Sequence, residues 1–318
     1  MYNRGYFLMK IAVFMGGSSE EREVSLMSGK AVYEGLKKNH ETTLFDIEWI
    51  GKDTLLTAID EVLKNGIDIV FIALHGGLGE NGGIQGVLEA SGITYTGSGI
   101  TASAIAMNKD ITKSLFTQHS IPTASWFTGT SDIIDSSRIK SEIGYPCVIK
   151  PVDQGSTIGL SVVREPHDVN TAIEKAAAYG EMIMAEKYIQ GKELSVPILG
   201  DTSLPVIEIR PSHEIYDYEC KYKPGMTEYF VPAPIPDTLT SEINSLALKV
   251  FNVLGLRDIA RIDFRLDEND RPLCFEANTL PGMTATSLVP KSAAKKGIDF
   301  PELVSKIAEF AYQRKGIQ

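Results

Sequence analysis

Residues 260–265 read ARIDFR and residues 275–282 read FEANTLPG, and these two stretches are the most informative part of the chain. Each predicts a short strand, and the polar turn at 267–270 joins the strands as a hairpin. Side chains two apart in a strand point to the same side. Polar residues therefore share one face of each strand: Arg261 and Asp263 in the first, Glu276 and Asn278 in the second.

The polar face of this hairpin carries oxygen donors of the kind that Mg²⁺ prefers, namely carboxylates and a side-chain amide. Two carboxylates and an Asn oxygen predict a site for one or two divalent cations beside a nucleotide. Arg261 would hold a transferring phosphoryl group or a developing oxyanion. An exposed hairpin whose charges face water explains the same pattern. The opposite faces are apolar and are expected to pack in a core: Ile262 and Phe264, Phe275 and Ala277.

Composition narrows the class of protein. At 318 residues the chain exceeds one ordinary domain, so two or three are expected. The net charge of −10, without a basic stripe, argues against general nucleic-acid binding. Three cysteines without metal or disulfide spacing favour a reducing compartment. No apolar run reaches membrane-spanning length, and residues 1–10 lack the apolar core of a signal peptide, so a cytoplasmic protein without a membrane partner is expected.

Predicted strands and helices alternate in the first third of the chain. Such alternation predicts a parallel sheet with helices on both faces. The α/β unit is expected to end near residue 98. Its predicted strands are 11–15, 42–47, 67–74 and 94–96, and its predicted helices are 25–37, 58–64 and 84–90.

Two further units are predicted, which divides the chain into domains 1–98, 99–188 and 189–318. In the second, a helix at 101–119 leads into a loop near Pro122. Strands follow at 146–150, 160–163 and 182–188, with a helix at 169–179. The third contains a segment at 193–199, a helix at 241–254, the hairpin and a helix from 301.

Two glycine-rich loops lie at the carboxyl edge of the predicted parallel sheet. Residues 16–23 (GGSSEERE) occupy the position of a dinucleotide-binding loop, but the G-x-G-x-x-G spacing is missing. Acidic residues are favourable at any helix start; for Glu21 we predict that it holds a substrate ammonium, since ligands bind at this edge. His75, in the loop 74–83, is either a substrate contact or a structural loop histidine.

The remaining motifs each allow a plain structural reading. The loop 155–159 (GSTIG) lacks the P-loop spacing, yet its amides could cover phosphates with Lys150 nearby, or it is only a hairpin turn. Residues 186–193 predict either an adenine-binding connector or an ordinary strand and turn. The aromatic stretch 216–229 predicts a mobile lid or a surface loop, and Ser287 a ligand contact or a helix cap.

Taken in order, these motifs resemble those of the D-alanine–D-alanine ligase family, in the ATP-grasp superfamily. The likeness extends over nearly the whole chain from residue 10. It is carried by GGSSEEREVSLMSG (16–29), ALHGGLGENGGIQGVLE (73–89), YTGSGITASAIAMNK (95–109), IKPVDQGSTIGLS (149–161), AEKYIQGKE (185–193), YDYECKYKPGMTEYFVPAP (216–234), ARIDF (260–264) and FEANTLPGMTATSLVPK (275–291).

The resemblance implies an α/β chain with the ATP-grasp fold, a role for each motif residue, and two Mg²⁺ or Mn²⁺ ions. ATP would be bound by Lys109, Lys150, Glu186, Tyr188, Ile189, Glu193 and Lys221, and the metals by Asp263, Glu276 and Asn278. Glu21 and His75 would bind the first D-alanine, and Ser287 and Leu288 the second. Ser156 and Tyr222 would join Glu21 in closing the lid. Arg261 and Gly282 would stabilise the oxyanion.

The implied reaction is ATP-dependent formation of D-alanyl-D-alanine through an acyl phosphate, for peptidoglycan precursors, by a homodimer. Tyr222 favours dipeptide formation, because ligases that use D-lactate resemble this family but lack that tyrosine. The alternative is another ATP-grasp carboxylate–amine ligase, such as a D-alanine–D-serine or D-alanine–D-lactate enzyme. A non-catalytic nucleotide-binding module would be expected to lose Arg261 or Asp263, and a dinucleotide oxidoreductase lacks its glycine fingerprint here.

Overall fold

A computed structural model describes residues 7–49, 54–223 and 225–315, apart from the side chains of Tyr218 and Tyr222. Its strands are β1 (Lys10–Gly16), β2 (Glu41–Ile47), β3 (Ile69–Ile72), β4 (Trp126–Gly129), β5 (Cys147–Pro151), β6 (Ser161–Val163), β7 (Ile183–Lys187), β8 (Glu193–Leu199), β9 (Thr202–Ser203), β10 (Ile207–Pro211), β11 (Thr227–Phe230), β12 (Ile259–Leu266) and β13 (Pro272–Asn278). Its helices are α1 (Arg22–Leu36), α2 (Thr54–Lys64), α3 (Gly83–Ala90), α4 (Ile100–Met107), α5 (Lys109–Gln118), α6 (Ser136–Glu142), α7 (Val169–Ala177), α8 (Tyr218–Tyr222), α9 (Asp237–Val253), α10 (Leu288–Lys295) and α11 (Phe300–Gln313).

The first sheet is parallel, with strand order β2-β1-β3, as the alternation of elements predicts. Alternate residues of β1 enter two cores: Ile11 and Val13 pack with α1 and α11, and Ala12 and Phe14 with α2 and α3. Burial on both faces explains why this strand is a continuous apolar run. The strand predicted at 94–96 is reduced to a single bridge between Val70 and Tyr95.

The second sheet is antiparallel, with order β4-β7-β5-β6, and α7 packs on it. Strand β4 and helix α6 lie where only a loop is predicted. The single helix predicted at 101–119 is wrong, because the chain breaks into α4 and α5 at Asn108. That residue has an extended backbone, and its side chain accepts a 3.0 Å hydrogen bond from the amide of Ile111, which starts α5.

The third sheet has the order β11-β10-β8-β12-β13, and β9 pairs with β8. The predicted hairpin is present as β12 and β13, but its register shifts after Asp263, where Phe264 pairs with Cys274. This bulge makes one expectation wrong: Cys274 takes the core position beside Ala277, and Phe275 lines the cleft beside the polar face.

The packing joins distant parts of the chain. Helix α11 packs on α1 and β3, and one core combines residues of the first sheet with residues 199–204 and 283–311. Ala102 and Phe116, from α4 and α5, pack into the core of the third sheet. The mixed α/β class is as predicted, and the domain boundaries at 98 and 188 stay a prediction.

Within the described ranges 7–49, 54–223 and 225–315, no helix combines the length and the apolarity that crossing a bilayer requires.

Candidate active site

Two adjoining cavities lie where the three sheets meet. The first, of about 970 Å³, is lined by residues of β5, β7, β8, β12 and β13 together with the loop after β5. The second, of about 800 Å³, lies between the start of α1, the loop after β3 and the segment after β13. The two cavities form one continuous cleft, because five residues line both of them: Gly155, Tyr216, Lys221, Arg261 and Glu276.

The hairpin register brings its polar residues together at the floor of this cleft. Arg261 pairs with Asn278, and Asp263 with Glu276, so all four lie on one face. The buried Asp263 carboxylate accepts hydrogen bonds from Arg261 Nη2 at 2.8 Å and Asn278 Nδ2 at 2.9 Å. Ser195 of β8 adds a third, 2.6 Å from its Oγ.

Arg261 is held rigidly by this carboxylate, since its Nε also donates to Asp263 at 3.0 Å and 3.1 Å. Burial alone would lower the pKa of Arg261, but the charge of Asp263 and its hydrogen bonds raise it above its ordinary value. The guanidinium is therefore a permanent positive charge between the two cavities.

The nucleotide side of the cleft is built around a buried carboxylate flanked by two lysines. Glu186 of β7 accepts from Lys150 Nζ of β5 at 2.6 Å and from Lys113 Nζ of α5 at 2.5 Å. Burial would raise the pKa of Glu186, yet the two ammonium groups outweigh it and lower that pKa to about 2. Lys109, also buried, donates to the carbonyl of Gln154 in the loop after β5.

A second buried ion pair lies at the other end of the same cavity. Arg265 Nη2 donates to the Glu193 carboxylate at 2.8 Å, and Arg265 Nη1 to the carbonyl of Ile189 at 3.3 Å. The guanidinium also lies over the ring of Tyr188, 5.5 Å from its centroid. Arg265 thus positions the connector between β7 and β8.

The second cavity is acidic on the side of the first sheet. Glu21 accepts a hydrogen bond from Ser156, whose loop reaches across from the second sheet. Burial, and then the neighbouring charge of Glu80, raise the pKa of Glu21. His75 lies beside them, with Nε2 3.2 Å from Ser28 Oγ and Nδ1 3.8 Å from Glu80.

The opposite wall of the second cavity is the start of α10. Ser287 precedes the helix, its Oγ accepts from the amide of Thr284 at 3.0 Å, and Leu288 begins the helix. A Cβ at Gly282 would lie 3.0 Å from that Oγ, so a larger residue here would require the Ser287 side chain to shift. Gly282, Ser287 and Leu288 all line the second cavity.

The segment between β10 and β11 covers both cavities. Tyr216 OH lies 2.8 Å from Tyr229 OH, and Lys221 Nζ lies over the Tyr216 ring at 5.3 Å. The side chain of Tyr222 lies outside the described part of the structure, so its predicted role stays a prediction.

Every other predicted site residue lines one of the two cavities. Among the residues that the sequence-based set omits, Lys113, Ser195 and Arg265 hold charged groups of the site in place. Lys113 lies one helical turn after Lys109, and Arg265 lies two residues after Asp263, so spacing was a usable signal for both. Ser195 had none, because it lies in an apolar strand.

Comparisons with known proteins identify the family of this chain. A family model described as D-ala D-ala ligase C-terminus matches residues 115–309, and one described as D-ala D-ala ligase N-terminus matches residues 50–98. The D-alanine–D-alanine ligase of Pelotomaculum thermopropionicum is 41% identical over 321 residues, which cover 98% of this chain and 99% of that protein.

Solved structures show the same fold. The D-alanine–D-alanine ligase of Bacillus anthracis complexed with ATP has a TM-score of 0.81 at 31% identity, covering 96% of this chain and 98% of that one. The VanG D-Ala:D-Ser ligase of Enterococcus faecalis has a TM-score of 0.82 at 27% identity, covering 96% and 100%. By sequence, ATP-grasp fold and cleft, this chain belongs to the D-alanine–D-alanine ligase family.

Proposed function

We propose that this protein, an ATP-dependent ligase, joins two D-alanine molecules into D-alanyl-D-alanine and releases ADP and phosphate, for peptidoglycan precursor synthesis. The observation that carries the proposal is the pair of cavities that share Arg261 and Glu276. One cavity is lysine-rich and suits a triphosphate. The other offers a carboxylate and an open helix start, the two groups that an amino acid's ammonium and carboxylate require.

In the first cavity, Lys109 and Lys150 would donate to the phosphates, with Lys221 reaching them from the covering segment. Glu186 keeps Lys150 in place, since the two side chains are 2.6 Å apart and buried. Glu193 would accept from the ribose hydroxyls. The backbone at Tyr188 and Ile189, which Arg265 positions, would meet the adenine edge.

The hairpin residues fit Mg²⁺ or Mn²⁺, because Asp263, Glu276 and Asn278 present oxygen donors on one face of the sheet. Two bound ions would neutralise charge on the phosphates. Asp263 currently accepts from Arg261 and Asn278. Metal binding would therefore require the Asn278 amide to turn its oxygen toward the ion.

In the second cavity, Glu21 would hold the ammonium of the first D-alanine, with His75 beside it. The carboxylate of that D-alanine attacks the γ-phosphorus, which yields ADP and an acyl phosphate. The amine of the second D-alanine attacks the acyl carbon, loses a proton, and phosphate leaves. Arg261 and the amide of Gly282 would donate to the oxyanion of the tetrahedral intermediate.

The second D-alanine would place its carboxylate at the start of α10, where Ser287 and the amide of Leu288 can donate to it. The acyl phosphate must be protected from water. Ser156 reaches Glu21 across the cleft. Tyr216 and Lys221 would exclude water when the covering segment closes, and Tyr222 would complete that closure.

We also propose that the enzyme is a cytoplasmic homodimer with no nucleic-acid or membrane partner. The net charge of −10 supports the absence of a nucleic-acid partner, because an acidic protein without a basic stripe is repelled by the phosphates of nucleic acid.

The deciding experiment compares ADP release with D-alanine, D-serine, D-lactate and L-alanine as acceptors for D-alanine, with the product identified by mass. The curated relative at 41% identity is a D-alanine–D-alanine ligase, whereas the solved D-Ala:D-Ser ligase is 27% identical. D-alanyl-D-alanine is therefore expected as the main product. Faster ADP release with D-serine, or none with D-alanine alone, would contradict the proposal.

Replacing Arg261 by alanine tests the assignment of the oxyanion site. Removing an oxyanion donor costs about 10²–10³ in kcat, so turnover should fall by that factor while equilibrium ATP binding survives. The control is Arg271→Ala, at the exposed turn of the same hairpin, where Arg271 pairs with Asp267 four residues earlier. Normal turnover in the Arg261 variant would exclude this role.

A further inference from the structure

The segment that covers the cleft carries a cluster of metal-ligating side chains separate from the acidic hairpin. It consists of His213, Asp217 and Cys220, and one ligand atom from each lies within 4.8 Å of the other two. None of these three lines the cavity that would hold ATP or the one that would hold D-alanine. The proposed ligase reaction does not use these three side chains.

The ligand types differ from those of the hairpin. A thiolate, an imidazole and a carboxylate form a donor set that suits Zn²⁺, whereas Mg²⁺ takes oxygen donors. Tetrahedral zinc has bonds of about 2.0–2.3 Å to such groups, which places its ligands roughly 3.3–3.8 Å apart. The most distant pair, within 4.8 Å, therefore needs to close by at most about 1 Å, whereas His213 Nδ1 and Asp217 Oδ2, 2.8 Å apart, need to open by about 0.5 Å.

The first turn of α8 already orients the cluster. Asp217 Oδ1 accepts from the backbone amide of Cys220 at 2.9 Å, and Asp217 Oδ2 lies 2.8 Å from His213 Nδ1. Helix capping accounts for Asp217 and its imidazole partner, but not for a thiol directed at the same point. The side chain of Cys220 is buried, whereas those of His213 and Asp217 are 37% and 31% exposed, which leaves an entry path from solvent.

A fourth ligand is within reach. Glu219 Oε2 lies 4.0 Å from His213 Nε2, and Ser212 Oγ lies 3.9 Å from Cys220 Sγ. Glu219 or a water molecule can complete a tetrahedral shell.

We propose that His213, Asp217 and Cys220 form a binding site for Zn²⁺, and that the bound ion restrains the internal conformation of the covering segment. Lys221 follows Cys220 directly and reaches both cavities. Fixing Cys220 therefore limits how far Lys221 and the segment can move, so occupancy is expected to slow turnover. The binding stands without the proposed ligase function, whereas its effect on turnover rests on that function.

Cobalt is the probe for binding, because a cobalt–thiolate bond gives a charge-transfer band that oxygen and nitrogen ligands do not. The full-length protein is titrated with Co²⁺ in excess Mg²⁺, which occupies oxygen-only sites. One equivalent of Co²⁺ should produce the band, and Zn²⁺ should remove it. The band should be absent in Cys220→Ala and retained in Cys147→Ala, whose thiol is buried in the second sheet.

His213→Ala guards against misfolding, since its side chain is partly exposed and the thiol is kept. Its affinity for Co²⁺ should fall at least about 10-fold, the lower end of what losing even an outer-shell partner costs. Absence of the band in the wild-type protein, its persistence in Cys220→Ala, or unchanged affinity in His213→Ala would each overturn the site.

The effect on catalysis is measured as the ratio of ADP-release rates with and without one equivalent of Zn²⁺, at saturating Mg²⁺. The ratio should fall below one in the wild-type enzyme and stay at one in Cys220→Ala and His213→Ala. Equal ratios in all three proteins, with the cobalt band present, would overturn the restraint. If D-alanine supports no ADP release at all, the ligase assignment fails, and the cobalt band still decides the site.

Discussion

At the scale of single residues, Glu186 and Lys113 form the most deeply buried ion pair of the cleft. Lys113 has no exposed surface, donates to Thr123 at 2.6 Å as well as to Glu186, and lies 4.9 Å from the centre of the Trp126 ring. A buried ammonium is tolerated only with such partners. Lys113 thereby keeps Glu186 ionised and available to position Lys150.

Lys113→Met should destabilise the protein by about 3–5 kcal/mol at neutral pH, because it leaves a buried carboxylate with one partner fewer. The control is Lys249→Met, on the exposed face of α9. Urea unfolding measures both. If Lys113→Met lowers the free energy of unfolding by less than about 0.5 kcal/mol, as substitutions at ordinary surface sites do, the ion pair is not needed for stability.

The same pair predicts a pH dependence. The pKa of Glu186 is lowered from 4.5 to about 2 in the folded protein, so its contribution to the free energy of unfolding is complete above pH 4.5 and is lost as pH falls toward 2. Lys113→Met should show a shallower fall across that window. If the free energy of unfolding falls equally steeply with pH in both proteins, the low pKa of Glu186 does not come from its pairing with Lys113.

Glu21 is the residue on which recognition of the first D-alanine is proposed to depend. Glu21→Gln should raise the KM for that substrate about 10–100-fold, since a hydrogen bond to a charged group contributes about 1.5–3 kcal/mol. The KM for ATP should change little. Glu20→Gln, at the exposed neighbouring position, is the control.

Because burial raises the pKa of Glu21, its carboxylate protonates at a higher pH than an ordinary glutamate. The KM for the first D-alanine in the wild-type enzyme should therefore rise as pH falls through the raised pKa of Glu21. Glu21→Gln should lack this rise. A KM that Glu21→Gln leaves unchanged at neutral pH would refute the anchoring role.

At the scale of elements, the turn into β8 and the end of β12 fit each other closely at Gly191. Its φ is +151°, and an added Cβ would lie 2.0 Å from the carbonyl oxygen of Leu266. Lys192 next to it accepts from the amide of Leu266 at 2.9 Å. The position of Glu193 and of the hairpin thus depends on a site that excludes any side chain.

Gly191→Ala should lower both stability and ATP affinity, because a backbone atom must move. Gly255→Ala is the matched control: its φ is +66°, but nothing lies within 4 Å. The control should lose about 1–2 kcal/mol from the left-handed conformation alone, and Gly191→Ala about 2 kcal/mol more. Unfolding midpoints and ATP titration measure these effects, and equal losses would exclude the steric explanation.

At the scale of the whole molecule, Asp258 joins three parts of the chain. Its carboxylate pairs with Arg314 after α11 and accepts from the amide of Gly97 at 2.8 Å. Arg314 Nη2 also donates to the carbonyl of Tyr95 at 3.0 Å. The first sheet, the third sheet and the last helix meet at this one buried charge pair.

Asp258→Asn should destabilise the protein by about 3 kcal/mol, the cost of leaving a partly buried guanidinium without its counter-charge. Asp201→Asn, at an exposed turn, should be nearly neutral. Unfolding of both variants, followed by circular dichroism, should remain one transition because the first and third sheets share a core. Separate transitions for the two sheets would contradict that coupling.

The local patterns of the chain were sufficient for much of the fold. Strand β1, helix α1 and the β12–β13 hairpin follow from apolar periodicity within a few residues, and the motif order was sufficient for the family. Features that were not predictable in this way include the Asn108 break between α4 and α5, strands β4 and β10, and helix α6. Short elements carry little periodicity, and their stability comes from the sheet that they join.

Local patterns in the sequence were therefore enough to predict many of the longer elements, the polar face of the hairpin and the family. The tertiary structure alone decided that Phe275 faces the cleft, since a bulge depends on pairing with another strand. It also decided that Lys113 meets Glu186, 73 positions away in the chain. Periodicity is a property of neighbouring residues, whereas such contacts exist only after distant segments have packed together.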